Sequence, residues 1–227
     1  MASPEPSRKS PPCRLIVVGG HTRSIGKTQL VCDLIAALPE AQFIAGKITQ
    51  YGHGVCAQNG EHCGCAPDEH SSAFNWETAA SSGTDSARFL VAGARRAFWL
   101  RTKQGYLAEG MPLLRKALRE AGNENNNSLN LIIESNSLLQ FLKPSVYLAV
   151  LDPDKQDFKP TAQSFLDRAD VFVLRHDLDD AAQSWQQIPP KLLHAKQTFL
   201  QKEHETVPEP LLSLVRRALS QSPAVRI

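Results

Sequence analysis

Residues Leu15 to Leu30 read Leu-Ile-Val-Val-Gly-Gly-His-Thr-Arg-Ser-Ile-Gly-Lys-Thr-Gln-Leu. The apolar run at 15–18 predicts a buried strand, which two glycines end. Gly26-Lys27-Thr28 then opens a helical pattern with apolar residues at positions 30, 31, 34 and 38. A strand, a glycine-bounded loop, Gly-Lys-Thr and a helix in this order predict a phosphate-binding loop.

The residue types in this loop suit a polyphosphate. Gly26 allows a tight turn and a close approach of the backbone, and the helix beginning near Lys27 directs free N–H groups and the positive end of its dipole at the anion. Lys27 is predicted to reach the β- and γ-phosphates and the Thr28 hydroxyl to hold Mg²⁺. The predicted nucleotide-binding residues of this stretch are Gly20, Ser24, Ile25, Gly26, Lys27, Thr28 and Gln29.

The loop departs from the usual spacing by one residue. The usual pattern has four residues between its first glycine and Gly-Lys-Thr, whereas residues 21–25 separate Gly20 from Gly26. His21 stands where the first glycine belongs. The loop is therefore one residue longer or begins on a histidine, unless a Gly-Lys-Thr has arisen by chance at a strand–helix junction.

Composition bounds the class of protein. The chain has 227 residues, of which 42% are hydrophobic, and this is enough for one α/β domain. Its net charge of only +2 does not suggest the basic face of a nucleic-acid binder. No apolar run is long enough to span a membrane. Residues 1–13 are rich in Pro and Ser and predict a disordered tail, with no signal peptide; residues 14–227 then form a single nucleotide-binding domain. We expect a cytoplasmic location with reduced cysteines.

Apolar runs alternate with helical patterns along the rest of the chain. Strands are predicted at 42–49, 97–100, 129–133, 146–151 and 171–174. Helices are predicted at 84–94, at 113–121 with Gly122 as its cap, from Pro160 onward, and at 211–219. Strands without internal alternation indicate a mainly parallel sheet covered on both faces, so the expected fold is α/β, a doubly wound three-layer sandwich of the P-loop NTPase type.

In such sheets, ligands bind at the carboxyl ends of the strands. The residues that follow each predicted strand are therefore candidates: Lys47 to His53, Glu134 to Asn136, Asp152, and Arg175 to Asp177. Residues 175–177 are the best-placed group to contact a base. The usual guanine-recognition pattern Asn-Lys-x-Asp is missing, so GTP and ATP are not distinguished.

Three segments, at 16–30, at 46–49 with His53, and at 85–94, resemble the molybdopterin-guanine dinucleotide biosynthesis adaptor family (MobB-type). That family has a phosphate loop, a strand ending in an Ile-Lys-His-like segment, a helix with Asp-Ser-x-Arg-x-x-x-Ala-Gly-Ala, and a later strand ending in Val-Glu-Gly. Lys47 matches the lysine, although Ile48-Thr49 follows it instead of histidine. Glu134 matches the glutamate, although Ser135 replaces the glycine. The matches to the helix motif are Asp85, Ser86, Arg88, Ala92, Gly93 and Ala94.

The resemblance covers about residues 14–135. It implies a dimeric, GTP-binding and weakly GTP-hydrolysing P-loop protein that assists molybdenum cofactor maturation, with a client enzyme as partner.

Four charged residues have both a catalytic and a structural interpretation. Glu134 could bind Mg²⁺ through water or orient an attacking water, or be a solvated acid at a strand end. Asp85 is the second candidate for that role, or a neighbour of a helix cap. Lys47 and Arg88 could neutralise phosphate; otherwise Lys47 is an exposed surface residue and Arg88 pairs with Glu77 or Asp85.

A Cys/His-rich insertion is predicted at about 51–83. Thiolates and imidazoles are ligands for Zn²⁺ or an iron–sulfur centre, whereas the spacing Cys63-Gly-Cys65 is tighter than in usual zinc sites. A mobile loop with reduced thiols is the alternative. The candidate ligands are Cys56, Cys63 and Cys65, with the fourth supplied by His62, by His53 or His70, or by a second subunit.

The leading functional prediction is a Mg²⁺-dependent protein that binds nucleoside triphosphate and hydrolyses it slowly, a homodimer acting in molybdenum cofactor or metal-centre assembly. One alternative is a small-molecule kinase, with Asp85 or Glu134 as base and residues 50–70 as a lid. The other is a metal-binding or sensing module that keeps its phosphate loop only for structure.

Overall fold

The computed structural model describes residues 13–51, 71–123, 128–176, 185 and 188–221. The strands in these residues are β1 (Cys13–Gly20), β2 (Ile44–Tyr51), β3 (Ser72–Trp76), β4 (Arg96–Lys103), β5 (Leu129–Glu134), β6 (Val146–Leu151), β7 (Val171–Leu174) and β8 (Gln197–Leu200). The helices are α1 (Lys27–Ala37), α2 (Asp85–Val91), α3 (Leu107–Asn123), α4 (Pro160–Gln163), α5 (Pro190–His194) and α6 (Glu209–Gln221).

The eight strands found in the described residues form one sheet in the order β3-β4-β2-β5-β1-β6-β7-β8. Every neighbouring pair is parallel except β3 and β4, which are antiparallel. The strand that carries the glycine loop is therefore central, between β5 and β6. This arrangement confirms the predicted doubly wound, mainly parallel sheet.

Helices cover both faces of the sheet. Successive β1 side chains point to opposite faces and are apolar, so each face needs a covering layer. Leu15 and Val17 join the core that includes the inner face of α3. Ile16 and Val18 join the core built with α1, α2 and α6. The two cores make the three layers that the continuous apolar strands predicted.

Two predicted boundaries are wrong. Cys13, assigned to the tail, is the first residue of β1 and is buried. Helix α3 begins six residues before the predicted start and continues through Gly122, which is therefore not its cap. The predicted start was late because Gly110 and Pro112 have low helix propensity. In the structure, Gly110 allows α3 to pack closely on the sheet, since a Cβ at this position would lie 2.7 Å from Thr102 Cγ2.

The third predicted helix is also shorter than expected. It spans Pro160–Gln163, and a 3-10 turn at Leu166–Arg168 follows it.

The sequence pattern predicted neither edge strand. Strand β3 lies inside the segment that was expected to be an insertion. Tyr51, the predicted first residue of that insertion, is the last residue of β2. An edge strand buries less than a central one, so β3 and β8 lack a continuous apolar run. β3 is held by its aromatic residues: the ring of Phe74 stacks on Phe98 at 5.1 Å, and Trp76 meets Phe98 edge-on at 5.9 Å.

Gly46 is required where β2 passes under Phe98. A Cβ at this position would lie 2.1 Å from Phe98 Cζ. We expect Gly46→Ala to lower the free energy of unfolding by about 1–3 kcal/mol or more, since overpacking displaces a buried ring. Urea denaturation measures this. In the double variant with Phe98→Leu, the loss of stability should be smaller than the sum of the losses in the two single variants. A loss equal to that sum would contradict the proposed clash.

In the described part of the chain, no helix combines the length and apolarity required to cross a membrane.

Candidate functional site

The glycine loop joins β1 to α1 at the carboxyl edge of the sheet. Gly26 caps α1 with a left-handed backbone, φ +80°, a conformation that favours glycine. A Cβ on Gly26 would also lie 2.7 Å from the Arg175 guanidinium. The helix beginning at Lys27 therefore presents its N-terminus to the loop, as the sequence predicted.

Lys27 folds back over the loop. Its Nζ donates to the Thr22 carbonyl oxygen at 2.6 Å. Burial lowers the pKa of Lys27, and the charge of Glu134 opposes this shift. The ammonium group is thus held by the loop itself, at a position from which a bound anion can take over the hydrogen bond.

Thr28, in the first turn of α1, contacts Glu134 at the end of β5. Glu134 ends β5, pairs in register with Val18, and is 6% exposed. The Thr28 hydroxyl donates to Glu134 Oε2 at 2.6 Å. The two oxygen-bearing side chains predicted to act on a metal therefore lie together beside the loop.

Lys47 links Glu134 to Asp85. It lies on β2 in register with Glu134, forms an ion pair with Asp85, and has its Nζ 3.4 Å from Glu134 Oε1. Burial acts to lower the pKa of Lys47, but Glu134 and Asp85 outweigh it, so the pKa is raised. The lysine therefore stays charged between two carboxylates.

Arg88 lies at the rim of the same site. Its guanidinium donates to Gln29 Oε1 at 2.6 Å and lies 3.8 Å from Asp85. Thr84 caps α2, because its hydroxyl accepts the Ala87 N–H, which leaves the Asp85 carboxylate free for Lys47. Of the two partners considered for Arg88, the structure provides Asp85.

His21 does not line the loop. Its ring is fully buried, packs against Phe158 and Trp185 at centroid distances of 5.1 and 5.2 Å, and lies 3.3 Å from the Lys155 carbonyl oxygen. Burial lowers the pKa of His21. A histidine replaces the usual first glycine here because its side chain leaves the loop for an apolar pocket.

Three further residues anchor the loop; Asn136 belongs to a predicted strand-end group, whereas sequence reasoning missed Lys155 and Lys159. Asn136 accepts from the Gly20 N–H at 2.9 Å and donates to the Gly20 carbonyl at 2.8 Å. Lys155 Nζ donates to Ser24 O at 2.6 Å, and the Lys159 N–H donates to His21 O at 2.8 Å. The feature of the sequence that points to these residues is their position after a strand end. Asn136 follows β5, and Lys155 and Lys159 follow β6.

Lys159 also adds charge to the site. Burial, then the nearby charges of Lys27 and Arg23, lower its pKa to about 8. Lys159 is therefore mainly cationic at pH 7 and loses this charge above pH 8.

The Arg175 side chain is directed at the glycine loop, and the base contact expected for residues 175–177 stays a prediction. Arg175 is buried. Its Nε and Nη2 donate to the carbonyl oxygens of Ile25 and Gly26 at 3.2 and 2.5 Å, and its Nη1 donates to Gln201. Arg175 thus ties the loop to the end of β8. Asp177 lies outside the described residues.

Replacing Arg175 with lysine should loosen this tie. Lysine keeps the charge but lacks the planar fork of donors, so the loop carbonyl oxygens lose hydrogen bonds. We expect a loss of about 1–3 kcal/mol in the free energy of unfolding by urea denaturation. Arg217→Lys, on the exposed side of α6, is the matched control. Equal effects of both changes would show that the Arg175 contacts contribute nothing.

The glycine loop borders a cleft of about 1360 Å³. The lining also includes Lys47, Asp85, Arg88 and Glu134, together with Thr49 on β2, Trp99 on β4, Asp152 and His176.

The cysteines divide into two groups. Cys56, Cys63 and Cys65, with His62, lie outside the described residues. Cys32 is a core residue of α1, and burial raises the pKa of its thiol to about 11.

No family model matches the chain, and no curated protein matches it. One similar solved structure is HypB from Helicobacter pylori in complex with nickel, at 16% identity and a TM-score of 0.48, over 92% of this chain and 90% of that one. Another is LpxK from Aquifex aeolicus in complex with ATP, at 15% identity and a TM-score of 0.44, over 83% of this chain and 54% of LpxK. This chain thus spans about half the length of LpxK. At these values both likenesses concern backbone shape only.

Proposed function

We propose that this protein binds a nucleoside triphosphate with Mg²⁺ at the glycine loop and hydrolyses it slowly. The observation that carries the proposal is the 2.6 Å contact between Thr28 Oγ1 and Glu134 Oε2, directly beside a loop whose Lys27 folds back over it. A loop, a lysine, a hydroxyl and a carboxylate in this order are the parts from which P-loop NTPases build their phosphate and metal sites.

The phosphates would be held by backbone and lysine together. The free N–H groups at the start of α1 and its dipole favour an anion. Lys27 exchanges its bond to Thr22 O for a phosphate oxygen, and Lys159 adds a second positive charge at neutral pH. Binding should therefore weaken as pH rises above about 8, where Lys159 becomes neutral.

The residues present fit Mg²⁺. Thr28 and Glu134 offer hard oxygen ligands, which this ion prefers, and few protein ligands suffice because the ion usually keeps several waters and substrate phosphates. When bound, Mg²⁺ would supply positive charge against the phosphates. Thr28 and Glu134 would hold the ion through their oxygens.

Slow turnover is proposed from the contacts that the carboxylates already make. Asp85 is paired with the Lys47 ammonium group, and the two oxygens of Glu134 lie against Lys47 and the Thr28 hydroxyl. These oxygens are engaged by other side chains, so the carboxylates are better suited to orienting a water molecule than to removing its proton.

Two measurements test the proposal. Calorimetry with ATP and with GTP, each with and without Mg²⁺, should show Mg²⁺-dependent binding of at least one nucleotide. Phosphate release under single-turnover conditions should then be measurable and slow. Binding of neither nucleotide would reject the proposal.

The adaptor role is a finer part of the same proposal. Lys47, Asp85, Arg88 and Glu134, which carry the resemblance to the MobB-type family, converge beside the loop. This supports a homodimeric GTP-binding protein that assists a client enzyme in molybdenum cofactor assembly. Sedimentation with and without GTP measures the dimer.

The kinase alternative has one observation in its favour. The lining of the cleft includes Thr49, Gln50, Trp99 and Gln104 in addition to the loop, and its volume of about 1360 Å³ leaves room for an acceptor. Turnover that rises on addition of a small hydroxyl or amine compound would favour a kinase.

A metal centre in the Cys/His-rich segment is a separate prediction. We expect anaerobically purified protein to carry about one Zn²⁺ or iron–sulfur centre per chain or per dimer, because thiolates and imidazoles bind both. Replacing Cys63 and Cys65 with serine should remove it, as measured by elemental analysis. No metal before or after reconstitution would contradict the prediction.

A further inference from the structure

We propose that Asp152, Asp154 and His176 form a binding site for a divalent transition-metal ion. The site is distinct from the Mg²⁺ position at Thr28 and Glu134 and from the Cys/His-rich segment, and it does not depend on the proposed nucleotide function.

Strand topology brings the three residues together. β6 and β7 are adjacent and parallel, with Leu151 in register with Leu174. Asp152 follows the first strand directly, and His176 comes two residues after the second ends. Their side chains therefore emerge at the same carboxyl edge, although 24 positions separate them in the sequence.

The distances suit coordination of one ion. His176 Nδ1 lies 3.1 Å from Asp152 Oδ1 and 3.2 Å from Asp154 Oδ2, and the three candidate ligand atoms lie within 4.8 Å of one another. Ligand atoms about 2.1 Å from a tetrahedral ion are separated by about 3.4 Å. An ion would therefore be admitted by small side-chain rotations.

One ligand is already positioned. The Asp152 side chain is 10% exposed, and the Asp154 N–H donates to Asp152 Oδ1 at 3.1 Å. Holding a carboxylate in place before the ion arrives reduces the entropy lost on binding. The buried end of the site is thus fixed, while Asp154 and His176 close it from the solvent side.

Charge and ligand type indicate the kind of ion. Two carboxylate ligands beside one imidazole favour a dication. Mg²⁺ and Ca²⁺ prefer oxygen ligands alone, whereas imidazole suits Zn²⁺, Co²⁺ and related ions. Three protein ligands leave a fourth tetrahedral position, and Asp152 and His176 border the cleft from which a water molecule or ligand can fill it.

The test uses the full chain with Cys56, Cys63 and Cys65 replaced by serine, so that thiolates do not compete. Zn²⁺ is titrated by calorimetry and Co²⁺ by visible absorption, without nucleotide and with excess Mg²⁺. We expect one ion per chain and a cobalt spectrum that lacks thiolate charge-transfer bands. His176→Gln should weaken binding by about tenfold or more, and so should Asp152→Asn.

The matched control is His204→Gln. His204 is an exposed histidine on the same cleft, 3.9 Å from a Glu203 oxygen, so it shares the setting of His176 but pairs with a single carboxylate among the residues that the structure describes. Its replacement should leave the affinity unchanged. His176 is half exposed, so its variant is expected to fold even where Asp152→Asn does not. Absence of binding, displacement by Mg²⁺, or equal effects at positions 176 and 204 would overturn the proposal and leave the three residues as a cluster of polar side chains in contact.

Discussion

Lys27→Ala is expected to reduce the affinity for nucleoside triphosphate by about 30- to 1,000-fold. The reason is the loss of the buried ammonium group that faces the phosphates, since truncating one partner of a buried charge pair costs about 2–4 kcal/mol. The fold should survive, because burial already lowers the pKa of Lys27 and its charge is costly in the free protein. Calorimetry with ATP and GTP in the presence of Mg²⁺ measures the change.

Lys196→Ala is the matched control for this experiment. Its ammonium contacts Asp167 O, and the residue immediately precedes β8, at the edge of the sheet opposite the glycine loop. Nucleotide affinity should be unchanged in this variant. A folded Lys27→Ala protein that binds nucleotide as tightly as the control would show that the loop does not bind phosphate as proposed.

Glu134→Gln is expected to leave nucleotide binding within a few-fold and to slow phosphate release by about 100-fold or more. The amide oxygen can still accept the Thr28 hydroxyl, so the side chain keeps its position. It loses the negative charge that would attract Mg²⁺ and orient water. Single-turnover phosphate release measures the effect.

Glu120→Gln, on the exposed side of α3, controls for the loss of a negative charge. Its rate should equal that of the unmodified protein. If Glu134→Gln also retains the full rate, Glu134 is a structural partner of Thr28 and Lys47 and has no role in the reaction.

The local sequence was sufficient to predict the centre of the sheet and the glycine loop. Val17 and Ile133 lie in strands buried on both faces, and such strands have continuous apolar runs. Gly26 and Lys27 are adjacent in the chain, so their relation to the strand before and the helix after is a local property. The edge strands were missed because Ser72–Trp76 and Gln197–Leu200 are partly exposed and have mixed composition.

The resemblance named Lys47, Asp85 and Glu134 as separate motif positions, and the fold turned them into one cluster. Lys47 lies between the two carboxylates because β2 pairs with β5 and because α2 begins at Asp85 beside it. The sequence could not show that a single lysine serves both acids. Sheet register, a property of the whole chain, decides this.

The sequence alone determined a strand–loop–helix unit with the residues to meet a phosphate, because those residues are neighbours in the chain. Only the tertiary structure decided the supports of that unit. It placed the ring of His21 in an apolar pocket, directed Arg175 to the loop carbonyls, and brought Asp152 beside His176. These contacts join residues more than 20 positions apart, so they depend on strand order and packing, and no local pattern of apolar or charged residues encodes them.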